Sequence, residues 1–390
     1  MNKYYNGIKE MVDILEKEHL SFPLEVSKEE LTSYINKILK NDISNDYDFN
    51  YYANNIIKYA LNKYDSHTKM ACTTFSKNKL PIKLKIINNK LYIIDTNGYN
   101  NIKYKEIVSI NNIEINKLIR ELDFMTCSST KEHLYDIVEN SFIYPESLRC
   151  LKSISNDCNN IKLSFSDGNS IVFDANKDYP KLLEVKNYSY KLINGIIIVR
   201  INRCNLDYPN QIIDIVNELK EKEINNYIID IRGNGGGDDT IFKPLIEFLK
   251  DKSIITLVDN KVYSSGRHLL MYLKQIGSKT IGTGISTSLN SFGARKRINL
   301  QSLDNYRLNI STKYLYFDNN FDMKAVDNKN AFNKLDKTIL KLQIFKPDIY
   351  VENSIDDYRN GVDKQLETAI NEFRKKDSCG KIWKSIIWND

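Results

Sequence analysis

The chain has 390 residues, of which 42% are hydrophobic, 27% charged and 11% aromatic. This composition is typical of a soluble globular protein with two or three domains and excludes a disordered or fibrous chain. The net charge of +6 comes from interspersed lysine, aspartate and glutamate rather than from a basic stripe, so nucleic acid is not expected as a partner.

Residues 1–78 are predicted to form a helical region. In the segment FNYYANNIIKYALNKY, which begins at Phe49, apolar residues recur at the spacing of a helix with one buried face. The segment MNKYYNGIKEMVDILEKEH at the N-terminus carries charges where a signal peptide has a continuous apolar region. No stretch approaches the ~18 apolar residues of a membrane helix, so we expect a cytoplasmic protein without a membrane span.

The rest of the chain divides into two further predicted regions. Residues 79–185 contain short runs such as IKLKII, KLYIID and SIVFD, punctuated by Asn, Asp and Gly, and predict a small β-rich domain. Residues 186–390 alternate strands and helices, beginning with GIIIVRI, NQIIDIVNELKEK and NYIIDI, and predict an α/β core with a largely parallel sheet.

The cysteines give no sign of a disulfide framework or a zinc site. They show neither C-x-x-C spacing nor a histidine at zinc-ligand spacing. We expect reduced, mostly buried thiols. The six positions are Cys72, Cys127, Cys150, Cys158, Cys204 and Cys379.

A glycine-rich turn follows a buried strand in YIIDIRGNGGGDD, residues 227–239. Glycines at such a place free backbone N–H groups to bind a negative group: a cofactor phosphate, a nucleotide phosphate or the oxyanion of acyl transfer. The dinucleotide fingerprint begun at Gly233 would need glycine at Asp238, and the lysine of a P-loop is absent. A flexible turn without function is the remaining alternative.

Ser265, in VYSSGRHLL, stands where a strand gives way to a helix. It is either a serine that caps the helix or a nucleophile beside an N–H group that stabilises an oxyanion. A nucleophilic serine also needs a base. His268 lies one turn along the same helix, whereas His19 and His133 occur among charged helical residues and are expected at the surface.

His67 is the remaining candidate base, and it lies in the polar loop segment YDSHT. Taken together, these motifs resemble the core of the S41 serine peptidases, the group of the C-terminal processing peptidases and the tricorn core. The resemblance rests on YIIDIRGNGGG, on VYSSGRHLLMYLKQIGSKTIGTGISTSLNSFG and on ALNKYDSHTKM, which is similar to the D-[GS]-H-T element of the tricorn-like branch. YKEIVSINNIEINKLI resembles the edge of a PDZ-like domain, and PDIYVENSIDDYRNGVDKQLETAI the closing segment at the C-terminus.

The resemblance implies a ClpP/crotonase-like α/β core in residues 186–390, a PDZ-like domain in 79–185 and hydrolysis of a peptide or protein substrate. It assigns Ser265 as the nucleophile, His67 as the general base and Ser66 as the residue that orients this base. Gly236 and Gly266 would supply the N–H groups of the oxyanion hole, with Gly235 or Gly237 as alternatives for the second donor. A homo-oligomer is possible in this group. The resemblance implies neither a metal nor an organic cofactor.

Three departures limit the resemblance. Asn290 stands where the processing-peptidase branch has its lysine base, so a Ser–His arrangement is favoured. Lys105 and Asn112 replace glycines of the PDZ-like edge, which implies a degenerate peptide groove. The glutamate of the tricorn tetrad has no identifiable position. The alternative function is a catalytically silent peptide-binding protein of the same fold.

Overall fold

A computed structural model describes residues 2–182, 186–205, 209–318 and 320–376. The α-helices of these residues are α1 (Lys3–Glu18), α2 (Lys28–Ile38), α3 (Asp46–Leu61), α4 (Ile115–Asp123), α5 (Lys131–Ser141), α6 (Pro145–Arg149), α7 (Pro209–Lys220), α8 (Lys243–Leu249), α9 (Ser265–Gln275), α10 (Lys329–Phe332), α11 (Ile355–Asn360) and α12 (Lys364–Lys376). Short 3-10 helices span Asn100–Ile102 and Asp239–Phe242.

The strands of the same residues form three sheets. They are β1 (Lys69–Cys72), β2 (Ile82–Ile87), β3 (Lys90–Thr96), β4 (Glu106–Ile110), β5 (Ile113–Glu114), β6 (Asn160–Phe165), β7 (Ser170–Asp174), β8 (Tyr188–Ile193), β9 (Ile196–Ile201), β10 (Asn226–Asp230), β11 (Ser253–Val258), β12 (Lys279–Gly282), β13 (Ser291–Asn299), β14 (Tyr306–Phe317), β15 (Met323–Val326) and β16 (Ile349–Tyr350). The mixed α/β architecture predicted from the sequence is confirmed.

Two compact units divide the chain. Unit 1 contains Met1–Leu182, Ser288–Phe317 and Lys324–Gln343, and unit 2 contains Leu183–Thr287, Asp318–Met323 and Ile344–Asp390. The three-domain division at residues 78 and 185 stays a prediction, and its second boundary falls at residues 183–185, outside the described residues. None of the helices in the described ranges combines the length and hydrophobicity needed to cross a bilayer.

Unit 1 holds two sheets, each with its own core. Helices α1 and α3 cover the apolar face of the sheet β1–β14–β13, where Met70, Leu308 and Ile310 are buried with residues of both helices. The other sheet has the order β2–β3–β4–β6–β7, with β5 on β4, and its core includes residues of α4 and α5. Neighbouring strands of both sheets run antiparallel where their register is defined.

Unit 2 is built on one six-stranded sheet of order β16–β12–β11–β10–β9–β8. The strands from β9 to β12 and β16 are parallel, and β8 is antiparallel to β9. Helix α12 buries Leu366, Ile370 and Phe373 against β-strand residues. In a parallel sheet the carboxyl ends of all strands meet at one edge, and the glycine turn after β10 and the Ser265 segment after β11 therefore both start from that edge.

Two histidines that were expected at the surface are buried. His19 is 0% exposed and His133 is 6% exposed, so the surface expectation is wrong for both. A charged neighbourhood in sequence does not determine which face of an amphipathic helix a residue occupies. Burial, followed by the charge of His67, lowers the pKa of His133 to about 3, which keeps this imidazole neutral.

The buried carboxylate of Asp65 joins three parts of unit 1. Its Oδ2 lies 3.0 Å from His19 Nε2, beyond the end of α1, and its Oδ1 accepts the hydroxyl of Ser311 on β14 at 2.8 Å. The same Oδ1 accepts the backbone N–H groups of His67 at 2.9 Å and of Thr68 at 3.2 Å. Asp65 thereby sets the path of the chain between α3 and β1.

These contacts determine the ionisation of Asp65. Burial by itself would raise the pKa of this carboxyl, but the hydrogen bond and charge of His19, with smaller effects of His67 and Thr68, lower it to about 2. The pKa of an unfolded aspartate is ~3.9. The ionised carboxylate therefore stabilises the fold above about pH 4, and this stabilisation is lost as the pH falls towards the folded value of about 2.

We predict that Asp65→Asn lowers the free energy of unfolding at pH 7 by about 3 kcal/mol, because it removes one partner from a buried charged network. The difference from the wild type should shrink as the pH is lowered towards 2.5. Urea unfolding measured across this pH range tests it, with Asp304→Asn as a control at an exposed aspartate. An equal loss in both variants would contradict the role of Asp65.

Candidate active site

Ser265 is the first residue of α9, and Ser264 occupies the N-cap position. The Ser264 side chain makes no capping hydrogen bond, and its backbone has the positive φ of 52° that side-chain-bearing residues rarely adopt. Ser265 is 6% exposed, and its hydroxyl donates to the carbonyl oxygen of Gly237 at 2.8 Å. Neither serine therefore acts as a helix cap, which was the alternative to a nucleophile.

The glycine turn after β10 packs directly against the start of α9. A Cβ atom added to Gly236, whose φ is 94°, would lie 2.8 Å from Ser264 Cβ and 2.9 Å from Ser265 N. A Cβ atom on Gly266 would lie 2.5 Å from the carbonyl oxygen of Asn234. Because these distances exclude any side chain, glycine is required at both positions for the turn and the helix to approach each other.

Asn234 connects the turn to its surroundings and is completely buried. Its Nδ2 donates to the carbonyl of Ile201 at the end of β9, and its Oδ1 accepts the N–H of Gly236 at 2.9 Å. Its backbone carbonyl accepts the N–H of Tyr263 at 3.0 Å. One residue thus fixes the turn both to the sheet and to the segment that leads into Ser265.

Arg232 anchors the first part of the turn through buried ion pairs. Its guanidinium nitrogens donate to both carboxylate oxygens of Asp363, at 2.8 and 2.7 Å, and its NH2 group lies 2.7 Å from Asp230 Oδ2. The positive charge of Arg232 outweighs burial and lowers the pKa of Asp230. Two sequence motifs, the Asp-x-Arg of the turn and the C-terminal closing segment, are therefore in contact.

A second polar cluster connects the far end of the turn to α9. Asp239 Oδ2 lies 3.2 Å from His268 Nδ1 and accepts the hydroxyl of Tyr272 at 3.0 Å. Nε2 of His268 lies 2.6 Å from the guanidinium of Arg267. Because a guanidinium can only donate, Nε2 must be the acceptor, and the neutral imidazole carries its proton on Nδ1. Burial lowers the pKa of His268, although Asp239 offsets part of this effect.

The predicted oxyanion donors have acceptors within unit 2. The N–H of Gly236 donates to Asn234 Oδ1, and the N–H of Gly266 donates to the carbonyl of Tyr263 at 2.9 Å. In the described part of the chain, no acceptor is found for the N–H groups of Gly235 and Gly237, which are the alternative donors. Gly236 and Gly237 have positive φ angles of 94° and 144°, a backbone conformation that glycine adopts readily and other residues rarely do.

His67 and Ser66 lie in unit 1, in the loop between α3 and β1. Both residues are partly buried, and the backbone N–H of His67 is held by Asp65. The structure thus brings Ser265, Gly236 and Gly266 together within unit 2, and Ser66 and His67 together within unit 1. Asp65 and Asn234 were missed as positioning residues, although both lie inside motifs that the sequence had singled out.

Asn290, which stands at the place of a lysine base, is engaged in backbone contacts. It is 2% exposed, its Nδ2 donates to the carbonyl of Ile339 at 2.9 Å, and its Oδ1 accepts the N–H of Phe317 at 3.4 Å. Lys296, the next lysine along the chain, forms an ion pair with Glu18 at 2.6 Å. Neither residue is arranged as a proton acceptor for a serine.

Comparisons with known proteins bear on the family and on the fold of the chain. The model of peptidase family S41 matches residues 195–265, a range that begins just before β9 and ends on Ser265. A comparison with curated proteins finds no match. The fold is similar to the crystal structure of mature CPAF, with a TM-score of 0.67 at 9% identity over 97% of this chain and 98% of that one.

Two further solved structures are similar over nearly the whole chain. Mature CPAF complexed with lactacystin gives a TM-score of 0.63 at 9% identity over 96% of this chain and 97% of that one. The photosystem II D1 C-terminal processing protease gives a TM-score of 0.47 at 9% identity over 90% of this chain and 94% of that one. The match of residues 195–265 and the CPAF-like fold confirm the resemblance to the S41 peptidases that the sequence indicated.

Proposed function

We propose that the chain is a serine-type peptidase that hydrolyses peptide bonds, with Ser265 as the nucleophile and His67 as the general base. The observation that carries the proposal is the contact of Ser265 with the glycine turn: its hydroxyl is 2.8 Å from the carbonyl of Gly237, at the start of a helix. A serine in this position has backbone N–H groups of the turn and of the helix start close by, as acyl transfer requires.

In the proposed reaction, Ser265 Oγ attacks the substrate carbonyl while His67 accepts the serine proton. The C–N bond of the resulting tetrahedral intermediate breaks, and the same imidazole gives its proton to the leaving amine. Water then attacks the acyl-enzyme, again with His67 as the base, and releases Ser265. We assign Ser66 the orientation of His67, and Asp65 the placement of the loop that carries both.

The oxyanion would be stabilised by backbone N–H groups of Gly236 and Gly266. In the present conformation both groups donate within the protein, so each must exchange its acceptor for the oxyanion. The N–H of Gly237 or Gly235 has no acceptor among the described residues, so either group can take the second place without losing a hydrogen bond to them. Removal of one such donor from a serine peptidase costs roughly 3–4 kcal/mol of transition-state stabilisation.

The proposal also includes the fold types of the two β-sheet regions, the substrate, the oligomeric state and the location. The antiparallel sheet from β2 to β7 supports a PDZ-like domain, and the parallel run from β9 to β12 supports a crotonase-like core. A peptide or protein substrate, assembly into a homo-oligomer and a cytoplasmic location stay predictions. The catalytically silent alternative is less well supported, because the serine and histidine that it would lack are both present.

We predict that a fluorophosphonate probe labels the folded protein on Ser265. Ser265→Ala should abolish labelling, whereas Ser264→Ala should retain it, because the Ser265 hydroxyl donates to the carbonyl of Gly237 in the glycine turn. Peptide mapping by mass spectrometry locates the adduct. An adduct on Ser264, or an active preparation without any adduct, would refute the assignment.

The identity of the base is tested by comparing two histidines. His67→Ala is expected to lower kcat/KM by at least about a hundredfold, the usual contribution of a general base. His268→Asn should retain most of the activity, because the asparagine amide can replace Nδ1 as the donor to Asp239. Rates on a fluorogenic peptide measure both variants. The reverse ranking would show that His268 is the base.

Adjacent glycines provide a matched test of the turn. Gly236→Ala should remove labelling, because its Cβ would lie 2.8 Å from Ser264 Cβ. Gly235→Ala should be tolerated, since no atom lies within 4 Å of its added Cβ and its φ is not in the positive range. Labelling rates of the two folded variants are the measurement. Equal rates would mean that close packing of the turn is not needed for reactivity.

A further inference from the structure

One face of the sheet β1–β14–β13 is strongly cationic. Directly opposite residues of antiparallel strands point to the same face, and Lys69, Asn309 and Arg297 form one such row. The rows on either side pair Arg295 with Ser311 and Arg307 with Asn299. We call the following residues the cationic face: Lys69, Arg295, Arg297, Arg307 and Lys313.

The opposite face of these strands belongs to the core of unit 1. Met70, Leu308 and Ile310 point there and are buried with residues of α1 and α3. Because side chains alternate along a strand, the cations between these positions are directed away from the core. Lys69, Arg297 and Lys313 are accordingly exposed.

The strands that carry the cationic face supply no negative charge of their own. The strands β1, β13 and β14 contain neither aspartate nor glutamate. Among the described residues, no carboxylate forms an ion pair with Lys69, Arg297, Arg307 or Lys313. Arg307 also has a buried Nε for which these residues provide no acceptor.

Like charges crowd one another on this face. Lys69 keeps contact with solvent, yet the protein atoms around its ammonium, and then the charge of Arg295, hold its pKa below the ordinary value. An anionic group bound here would relieve this repulsion. The cationic face also follows the assigned base closely in sequence, because β1 begins two residues after His67.

We propose that the cationic face binds acidic side chains of the substrate, so that the peptidase acts on acidic peptides. This inference rests on the proposed function, because the loop of the assigned base runs into β1. A peptide fits the face better than single-stranded nucleic acid does. In the described strands β1, β13 and β14, no aromatic ring lies among the five cationic side chains, so a base would have no ring to stack on there.

The test uses the full chain with Ser265→Ala, so that binding is measured without turnover. Fluorescence anisotropy is recorded with a glutamate-rich peptide, with the same peptide carrying glutamine for glutamate, and with a short single-stranded oligonucleotide. The acidic peptide should bind most tightly, and its affinity should fall as salt screens the exposed charges. Equal binding of the glutamine peptide, or tighter binding of the oligonucleotide, would overturn the inference.

A matched pair of variants tests the location. Arg297→Ala combined with Lys313→Ala should weaken binding of the acidic peptide by about fivefold, as expected for two exposed charges. The control combines Lys296→Ala with Lys324→Ala, which removes the same net charge from residues that do not belong to the cationic face. Lys296 lies on the opposite side of β13, where it pairs with Glu18. The control should change the affinity by less than about twofold. An equal loss in the control would show that net charge alone governs binding and would overturn the assignment.

Cleavage by the chain with Ser265 intact separates this inference from the proposed function. Acidic peptides that bind at the cationic face but are never hydrolysed would leave the binding site standing and refute the peptidase. Hydrolysis of glutamate and glutamine peptides at equal kcat/KM would support the peptidase and refute the acidic preference.

Discussion

The close packing of the glycine turn against the first turn of α9 is the constraint on which the candidate active site depends. Gly236 and Gly266 permit this contact because a Cβ atom at either position would lie 2.8 Å or less from a neighbouring atom. Asn234 holds the contact from inside, through hydrogen bonds to β9, to the turn and to the segment before Ser265. Ser265 consequently has little freedom to leave the turn.

Two ionic clusters fix the ends of this turn. Arg232 joins its start to the C-terminal closing segment through Asp363, and Asp239 joins its end to α9 through His268 and Tyr272. Breaking a buried pair of this kind typically costs 3–5 kcal/mol, because the remaining charge is left without a partner. Asp65 has the corresponding role in unit 1, where it holds the loop that carries His67.

Much of the fold could be predicted from local patterns. The runs GIIIVRI and NYIIDI correspond to β9 and β10, because continuous apolar stretches between helices are typical of a parallel sheet. The glycine turn and Ser265 could also be recognised locally, because the residues that make up each motif are adjacent in the sequence. The burial of His19 was not predictable, since its partner Asp65 is 46 positions away along the chain.

Long-range pairing accounts for most of what the sequence did not reveal. Strand β1 pairs with β14, so that Lys69 lies opposite Asn309, and no local periodicity encodes such a partner. The cationic face exists only because this pairing brings β1, β14 and β13 into register. Likewise, the residue spacing in the glycine-turn motif and in the Ser265 motif did not indicate that the N–H groups of Gly236 and Gly266 have acceptors inside the protein.

The most direct test of the account is a crystal structure of the protein after reaction with a fluorophosphonate. We expect a phosphonyl group on Ser265 Oγ, with one oxygen held by backbone N–H groups of the glycine turn and of Gly266. We also expect the imidazole of His67 within hydrogen-bonding distance of Ser265 Oγ. An adduct whose phosphonyl oxygen contacts no backbone N–H group, or whose nearest imidazole is that of another histidine, would contradict it.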